Sequence, residues 1–229
     1  MRKTHFTTTA IAGTLLMLAG CSGGGETAEG GEDAAAGGEE AAAETYDNGI
    51  PMYSGVDAAE VEIENIDGER RAEFTIEGSP FAAIDFYGPQ FTANGWENGA
   101  GTADMLDAEG NPFRTLNAAT GSDGTVRVTI GAVGGEAGDG MFENGVPAYA
   151  NVIEGSVNAS AGAGDMQNVT FDTNDTVLAV MNFYTGAFEE AGAENRMLVY
   201  TAGNQGDGPG GRITVNRTNT VRITYFGAE

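Results

Sequence analysis

An internal repeat constrains the fold of this chain more than any other feature of its sequence. Three short motifs occur twice and in the same order: DNGIPMY at 47–53 and ENGVPAY at 143–149, FY at 86–87 and 183–184, and TVRVTI at 125–130 and TVRITY at 220–225. The three offsets are 96, 97 and 95 residues. Because these offsets agree so closely, the chain is a tandem duplication of a unit of about ninety residues, a normal size for a small domain.

Each copy contains the same predicted elements in the same order. In the first copy, alternating apolar and polar residues on both sides of Asp67-Gly68 predict a β-hairpin with a two-residue turn. Ser79-Pro80 predicts the start of a helix, which Gly88-Pro89 is expected to kink or shorten. Further strands are expected between residues 102 and 132. The sequence therefore predicts an α+β fold of two tandem modules, each a curved antiparallel sheet with one helix packed on one face.

The predicted modules occupy residues 46–133 and 141–229, and a Gly-rich linker at 134–140 joins them. Residues 21–45, which precede the first module, are almost entirely Gly, Ala, Ser, Thr and acidic residues. A segment without large apolar side chains cannot bury a core. We therefore expect residues 21–45 to form a disordered acidic tether.

The N-terminal residues predict export and a lipid anchor. Arg2 and Lys3 precede an apolar run that is too short to span a bilayer, a pattern typical of a signal peptide at 1–20. The run ends in LAGC at 18–21, which resembles the lipobox of bacterial lipoproteins. This resemblance implies that cleavage leaves Cys21 as an acylated N-terminus on the membrane, and that Ser22 favours the outer membrane. The alternative is an ordinary secretory signal with an incidental cysteine.

Composition and charge exclude several classes of function. The chain has 34 acidic and 10 basic residues and a formal net charge of −24. We therefore do not expect it to bind nucleic acid, because contacts with phosphate groups need clustered Lys and Arg. Cleavage before Cys21 would also remove the only Lys and the only His, Lys3 and His5. The exported chain would then have no His base, no free Cys nucleophile and no Cys/His zinc ligands. We do not expect an enzyme.

The order of motifs resembles a module of unknown function in bacterial envelope lipoproteins. In both copies Pro-x-Tyr precedes a strand and a capped helix that contains Phe-Tyr. Gly95-Trp96 follows the first helix and Gly192-Ala193 follows the second. The resemblance covers residues 47–96 and 143–192. It implies a location in the cell envelope and no particular activity.

Phe86 and Phe183 are the candidate partner-binding residues. On a helical wheel each ring lies about 100° from the apolar stripe of its helix. An apolar ring at this position in both copies has two explanations. The ring packs in the core or between the modules, or it forms a surface that binds an envelope protein partner. If it binds a partner, the sequence predicts a non-catalytic, membrane-anchored envelope lipoprotein. Its paired modules would bind another envelope component or have a structural role.

Glu62 and Glu73 are the candidate metal ligands. The register of the predicted hairpin places them directly opposite each other, an unfavourable contact that a bound Ca²⁺ would relieve. The alternative is a solvated acidic face, since no spaced loop of oxygen ligands is present. Asn158 and Ser160 occupy the corresponding strand of the second copy, so cation binding is expected in the first module alone. The alternative function is therefore a protein that binds Ca²⁺ or a small ligand on this acidic face, and no other cofactor is expected.

Three further motifs are interpreted as structural. GDGPGG at 206–211 matches the glycine pattern of a dinucleotide-binding loop but leads into a strand, so it predicts a hairpin loop. The acidic residues at 104–109 do not fit a calcium-binding loop and predict a turn between strands. The polar segment at 172–176 precedes the second helix and predicts its cap.

Overall fold

The computed structural model of the protein describes residues 44–96, 99–133, 139–142, 145–162, 165–203 and 208–227. The signal peptide at 1–20, Cys21 and nearly all of the tether at 21–45 lie outside the described residues. The same holds for most of the linker at 134–140 and for the first two residues of the loop at 206–211. The predictions for these segments therefore stay predictions. In the part of the chain that is described, no helix is both long and apolar enough to cross a membrane.

The described part of the chain contains ten strands and two helices. The strands are β1 (Glu62–Ile66), β2 (Glu69–Thr75), β3 (Gly99–Leu106), β4 (Pro112–Thr120), β5 (Val126–Val133), β6 (Asn158–Ala161), β7 (Met166–Thr173), β8 (Glu194–Gly203), β9 (Gly210–Asn216) and β10 (Thr220–Phe226). The helices are α1 (Ala82–Ala93) and α2 (Val177–Glu190), and one turn of 3₁₀ helix at Ala58–Glu60 precedes β1. Each copy of the repeat thus contributes two strands, a helix and three more strands, in agreement with the predicted order.

All ten strands form one antiparallel sheet, in the order β1-β2-β10-β9-β8-β3-β4-β5-β7-β6. The β1–β2 hairpin of the first copy pairs with β10 of the second, and the β6–β7 hairpin of the second copy pairs with β5 of the first. The expected α+β fold of two separate modules is therefore wrong, because the molecule is a mostly-β protein with one sheet shared by both copies. The physical reason is that backbone hydrogen bonds do not distinguish a strand of one copy from its equivalent in the other.

The two copies meet at the centre of the sheet, where β3 pairs with β8. In this pair Thr102 lies opposite Val199, and these residues are separated by 97 positions, the offset of the repeat. The five strands on one side of this point repeat the five on the other side in reverse order. The fold therefore has an approximate two-fold symmetry that exchanges the first copy with the second.

Both helices pack on one face of the sheet, and each covers strands of the other copy. Helix α1 contacts β8 and β9, and α2 contacts β3 and β4. Glycines on the sheet make this close packing possible. A Cβ atom at Gly101 would lie 2.1 Å from the Met181 sulfur of α2, and one at Gly211 would lie 2.5 Å from the Phe91 ring of α1. The exchange of hairpins is thus accompanied by an exchange of helices.

Most local predictions from the sequence are confirmed. The β1–β2 hairpin has the predicted register, with Glu62 opposite Glu73, and its turn residues Asp67 and Gly68 have positive φ angles of 51° and 82°. The Thr176 hydroxyl caps α2 by accepting a hydrogen bond from the Ala179 amide at 3.2 Å. The turn between β3 and β4 is also found where it was expected.

Gly88-Pro89 lies inside the first helix and does not end it. Helix α1 continues past Pro89 to Ala93. Gly88 instead serves the packing of the two helices, since a Cβ atom there would lie 2.7 Å from a methyl carbon of Leu178 in α2. The glycine is therefore explained by a contact between the copies, which the sequence of one copy could not indicate.

Candidate functional site

An aromatic cluster fastens the Pro-x-Tyr segment to the helix in each copy. The first cluster is Tyr53, Phe74, Phe86 and Tyr87, and the second is Tyr149, Phe171, Phe183 and Tyr184. The Tyr87 hydroxyl donates a hydrogen bond to the Pro51 carbonyl at 2.8 Å, and Tyr184 donates to Pro147 at 2.9 Å. Burial raises the pKa of both tyrosines, so they remain neutral donors. The repeated motifs are thus brought together in space.

Phe86 and Phe183 lie at the outer edge of these clusters. Each ring packs edge to face on the tyrosine that follows it, with ring centroids 4.7 and 4.9 Å apart. Each also packs edge to face on the tyrosine of the Pro-x-Tyr segment, at 5.2 Å. Phe86 is half-buried, whereas Phe183 is 39% exposed. Within the described ranges, the aromatic rings that contact Phe86 and Phe183 belong to the same copy as the phenylalanine.

Glu62 and Glu73 lie opposite each other as predicted, but Glu73 has a partner on its other side. Arg222 of β10 donates a hydrogen bond from Nε to the Glu73 carboxylate at 2.6 Å. The symmetry-related strands β5 and β7 carry the ion pair between Arg127 of the first copy and Asp172 of the second, with distances of 2.9 and 3.0 Å. These hydrogen bonds lower the pKa of Asp172. The arginine of each TVR motif therefore joins the two copies on the sheet face away from the helices.

The described residues offer no obvious metal centre. Across the described ranges, no group of three or more His, Cys, Asp or Glu side chains could hold a metal ion. Asp107 acts as a turn residue, because its carboxylate accepts a hydrogen bond from the Asn111 amide at 2.7 Å. The Arg222 side chain provides a second way to offset the charge of Glu73, besides the Ca²⁺ that the sequence suggested.

A cavity lies where the end of α1 meets the start of α2. Its volume is about 240 Å³, and its lining includes Thr92, Thr120, Asp175 and Tyr200. The Asp175 carboxylate is fixed by Tyr149 and Asn151, since Oδ2 accepts from the Tyr149 hydroxyl at 2.7 Å and from the Asn151 amide at 2.8 Å. These hydrogen bonds lower the pKa of Asp175. Burial raises the pKa of Tyr200 to about 12.

A second cavity occupies the symmetry-related place at the other end of the helix pair. Its volume is about 280 Å³, and its lining includes Pro80, Glu189 and Asn219, which the repeat relates to Val177, Thr92 and Gly124 of the first cavity. Each acidic side chain of its lining has a neighbouring partner in the protein. Glu189 accepts a hydrogen bond from the Ser79 hydroxyl at 2.7 Å, and Glu194 lies 4.0 Å from Arg217.

No sequence pattern predicts Asp175 or Tyr200 as a site residue. Asp175 belongs to the polar segment that predicts the helix cap, and Tyr200 lies in a strand with no motif of its own. One signal was available, because Tyr149 belongs to the repeat whereas the acid at position 175 has no counterpart at the equivalent position of the first copy. The first copy has Gly78 at the equivalent position.

Comparisons with known proteins identify no relative of this chain. No protein-family model matches this chain, and neither a curated protein nor a solved structure is significantly similar to it. The resemblance to the lipobox and to an envelope-lipoprotein module therefore stays a prediction from the sequence.

Proposed function

We propose that this protein is a lipid-anchored, non-catalytic component of the bacterial envelope that binds another envelope protein through Phe86 and Phe183. The observation that carries the proposal is that these two rings lie at equivalent places in both copies, with Phe183 exposed and Phe86 partly exposed at the edge of the core. Aromatic side chains that are held rigidly and left partly exposed are favourable anchors at protein interfaces, since little conformational entropy is lost on binding.

The rigid support of the two rings favours a docking role. The tyrosines on either side hold each phenylalanine edge to face, which restricts the positions that the ring can take. The inner tyrosine of each cluster is itself fixed by its hydrogen bond to a proline carbonyl. A ring in such a setting is already ordered before a partner arrives.

The duplication gives the proposed function a second aspect. The repeat places one docking ring on each helix, so a partner with two equivalent epitopes could engage both rings at once. Such a partner would gain affinity because the second contact forms at a high effective concentration. The predicted lipid at Cys21 would hold the protein on the outer membrane, and the acidic tether would let the folded part reach its partner.

Crosslinking in intact cells followed by recovery of the tagged protein tests this proposal. We expect the wild type to recover one envelope protein and the double variant Phe86→Glu, Phe183→Glu to lose it while remaining folded. Asn182→Glu is the matched control for the Phe183→Glu substitution, because Asn182 is an exposed neighbour of Phe183 on α2 and the substitution adds the same single negative charge. The proposal fails if the folded double variant recovers the same protein as the wild type does.

A further inference from the structure

A β-bulge in β8 turns a polar side chain toward the second cavity, where the end of α2 meets the start of α1. The pairing of β8 with β3 changes register at this bulge, and Arg196 is the extra residue. Asn195 therefore lies on the same sheet face as the buried Leu198, whereas simple alternation would place it on the opposite face. Asn195 pairs with Met105 of β3, and both residues line the cavity.

The side-chain amide of Asn195 has one atom without a partner. Its Nδ2 atom donates hydrogen bonds to the carbonyls of Val215 and Asn216, at 3.4 and 3.0 Å. Asn195 is only 8% exposed, and its Oδ1 atom has no hydrogen-bond partner among the described residues. Because Nδ2 is turned to β9, Oδ1 on the other branch of the planar amide is turned away from that strand, toward the cavity. A buried acceptor without a donor is costly, so Oδ1 indicates a place for a ligand that donates a hydrogen bond.

Two opposite charges line the same cavity. Glu194 lies at the start of β8 and Arg217 lies in the turn between β9 and β10, and both side chains are more than half exposed. The closest atoms of the two charged groups are 4.0 Å apart, which is too long for a hydrogen bond. Each group therefore keeps hydrogen-bonding capacity for a third molecule. Arg217 can only donate, whereas Glu194 and the Asn195 Oδ1 atom can only accept.

This combination of groups excludes simpler ligands. A small anion would supply no donor for Asn195 Oδ1 and would be repelled by Glu189 and Glu194. A small cation would be repelled by Arg217. A purely apolar molecule would leave Oδ1 without a partner. The chemistry that remains is a molecule with a donating cationic group and an accepting anionic group.

We propose that the second cavity binds a small free α-amino acid, with its ammonium group on Asn195 Oδ1 and Glu194 and its carboxylate on Arg217. Met105 and Ala193 supply an apolar wall for a short side chain. The volume of 280 Å³ corresponds to roughly nine water molecules, which limits the ligand to a few carbon atoms. The site does not involve Phe86 or Phe183, so this proposal and the proposed docking can fail separately.

The repeat predicts one such site in each chain. Arg217 corresponds to Ser122 of the first copy, at the offset of 95 residues. The described lining of the first cavity contains no Lys, Arg or His that could hold a carboxylate. We therefore expect a stoichiometry of one ligand per chain.

Calorimetric titration of the purified protein with L-alanine tests this proposal. Ethylammonium chloride and sodium propionate are the matched probes, because each has one of the two charged groups of alanine and lacks the other. We expect saturable binding of alanine at one site and binding at least tenfold weaker for each of the other two probes at the same ionic strength. The proposal is overturned if alanine does not bind, or if either single-charge probe binds as tightly as alanine does.

Arg217→Gln removes the expected partner of the ligand carboxylate. Because Arg217 is exposed, we expect the variant to fold and its Kd for alanine to rise roughly fivefold, as for the loss of a charge-assisted hydrogen bond in a partly solvated place. Arg212→Gln is the matched control, since Arg212 is an exposed arginine of β9 that does not line the cavity. Unchanged affinity in folded Arg217→Gln overturns the proposal.

Asn195→Leu removes the buried acceptor and leaves a side chain of similar size. We expect the folded variant to lose alanine binding, and binding equal to that of the wild type contradicts the proposal. The substitution also removes the hydrogen bonds of Nδ2 to β9, so circular dichroism must first show that the variant folds. If it does not fold, Arg217→Gln and the two single-charge probes decide.

Discussion

The two copies of the repeat share their scaffold contacts but differ in the side chains placed around them. Tyr87 and Tyr184 donate the same hydrogen bond to a proline carbonyl, and the arginine of each TVR motif forms an ion pair with an acid of the other copy. In contrast, Tyr149 holds Asp175 in the second copy, whereas the first has Gly78 at that place. This difference teaches that the repeated residues maintain one shared sheet, and that the unrepeated residues are where to look for specialised sites.

Substitution of the large buried residues of the two aromatic clusters should cause the largest losses of stability, and the losses should be similar in both copies. Phe74 and Phe171 are 3% and 0% exposed and lie on equivalent strands. We expect Phe74→Ala and Phe171→Ala each to lower the free energy of unfolding by about 3–5 kcal/mol, because each leaves a cavity in the core. Urea denaturation measures both. A large effect in one copy with a negligible effect in the other would break the comparison.

The hydroxyl of Tyr149 should matter more than that of its equivalent, Tyr53. Tyr149→Phe removes the hydrogen bond to Asp175, and we expect a loss of roughly 1 kcal/mol in the free energy of unfolding, since the site is partly exposed. Tyr53→Phe removes no such bond and should have a smaller effect. Thermal unfolding of the two variants provides the test. Equal losses would show that Asp175 does not distinguish the copies.

Arg127→Ala should have a small effect that depends on pH and salt. Arg127 lowers the pKa of Asp172, so the ion pair stabilises the fold above the unfolded pKa of about 3.9 and loses this contribution as the pH falls through the folded value. The difference in stability between wild type and Arg127→Ala should therefore shrink below about pH 4, and also at high salt. Urea denaturation at pH 7 and pH 3 measures it. A difference that grows on acidification would contradict this assignment.

Calcium should have the smallest effect. Arg222 already lies against Glu73, so we expect the melting temperature in CaCl₂ to equal that in NaCl at matched ionic strength. A specific rise with Ca²⁺ that Glu73→Gln abolishes would instead establish the acidic face of the first copy as a cation site.

The sequence predicted the elements of each copy well because they depend on local interactions. Asp67-Gly68 determines the hairpin turn, and with it the register that places Glu62 opposite Glu73. Thr176 caps its helix through a hydrogen bond to a residue three positions away. Turns, caps and periodic apolar residues act over a few residues, so they can be read from one copy alone.

The partners of those elements could not be predicted in the same way. Arg222 and Glu73 are 149 residues apart and meet because β10 pairs with β2 of the other copy. The pattern of apolar residues in β2 is equally compatible with pairing to β5 of the same copy. Gly88 has a similar explanation, since its role is revealed by Leu178 of the other copy. The cavity at Asp175 and Tyr200 depends on the same exchange, because it lies between α1 of one copy and α2 of the other.

The exchange of hairpins between the copies is the central claim, and a disulfide trap tests it most directly. In a chain with Cys21→Ser, the pair Glu73→Cys with Arg222→Cys places two thiols on directly opposite residues of β2 and β10. The pair Glu73→Cys with Arg127→Cys is the control that two separate modules would favour. The account predicts rapid oxidation to an intramolecular disulfide in the first pair and none in the second. A disulfide in the second pair, with none in the first, would show that each copy folds separately.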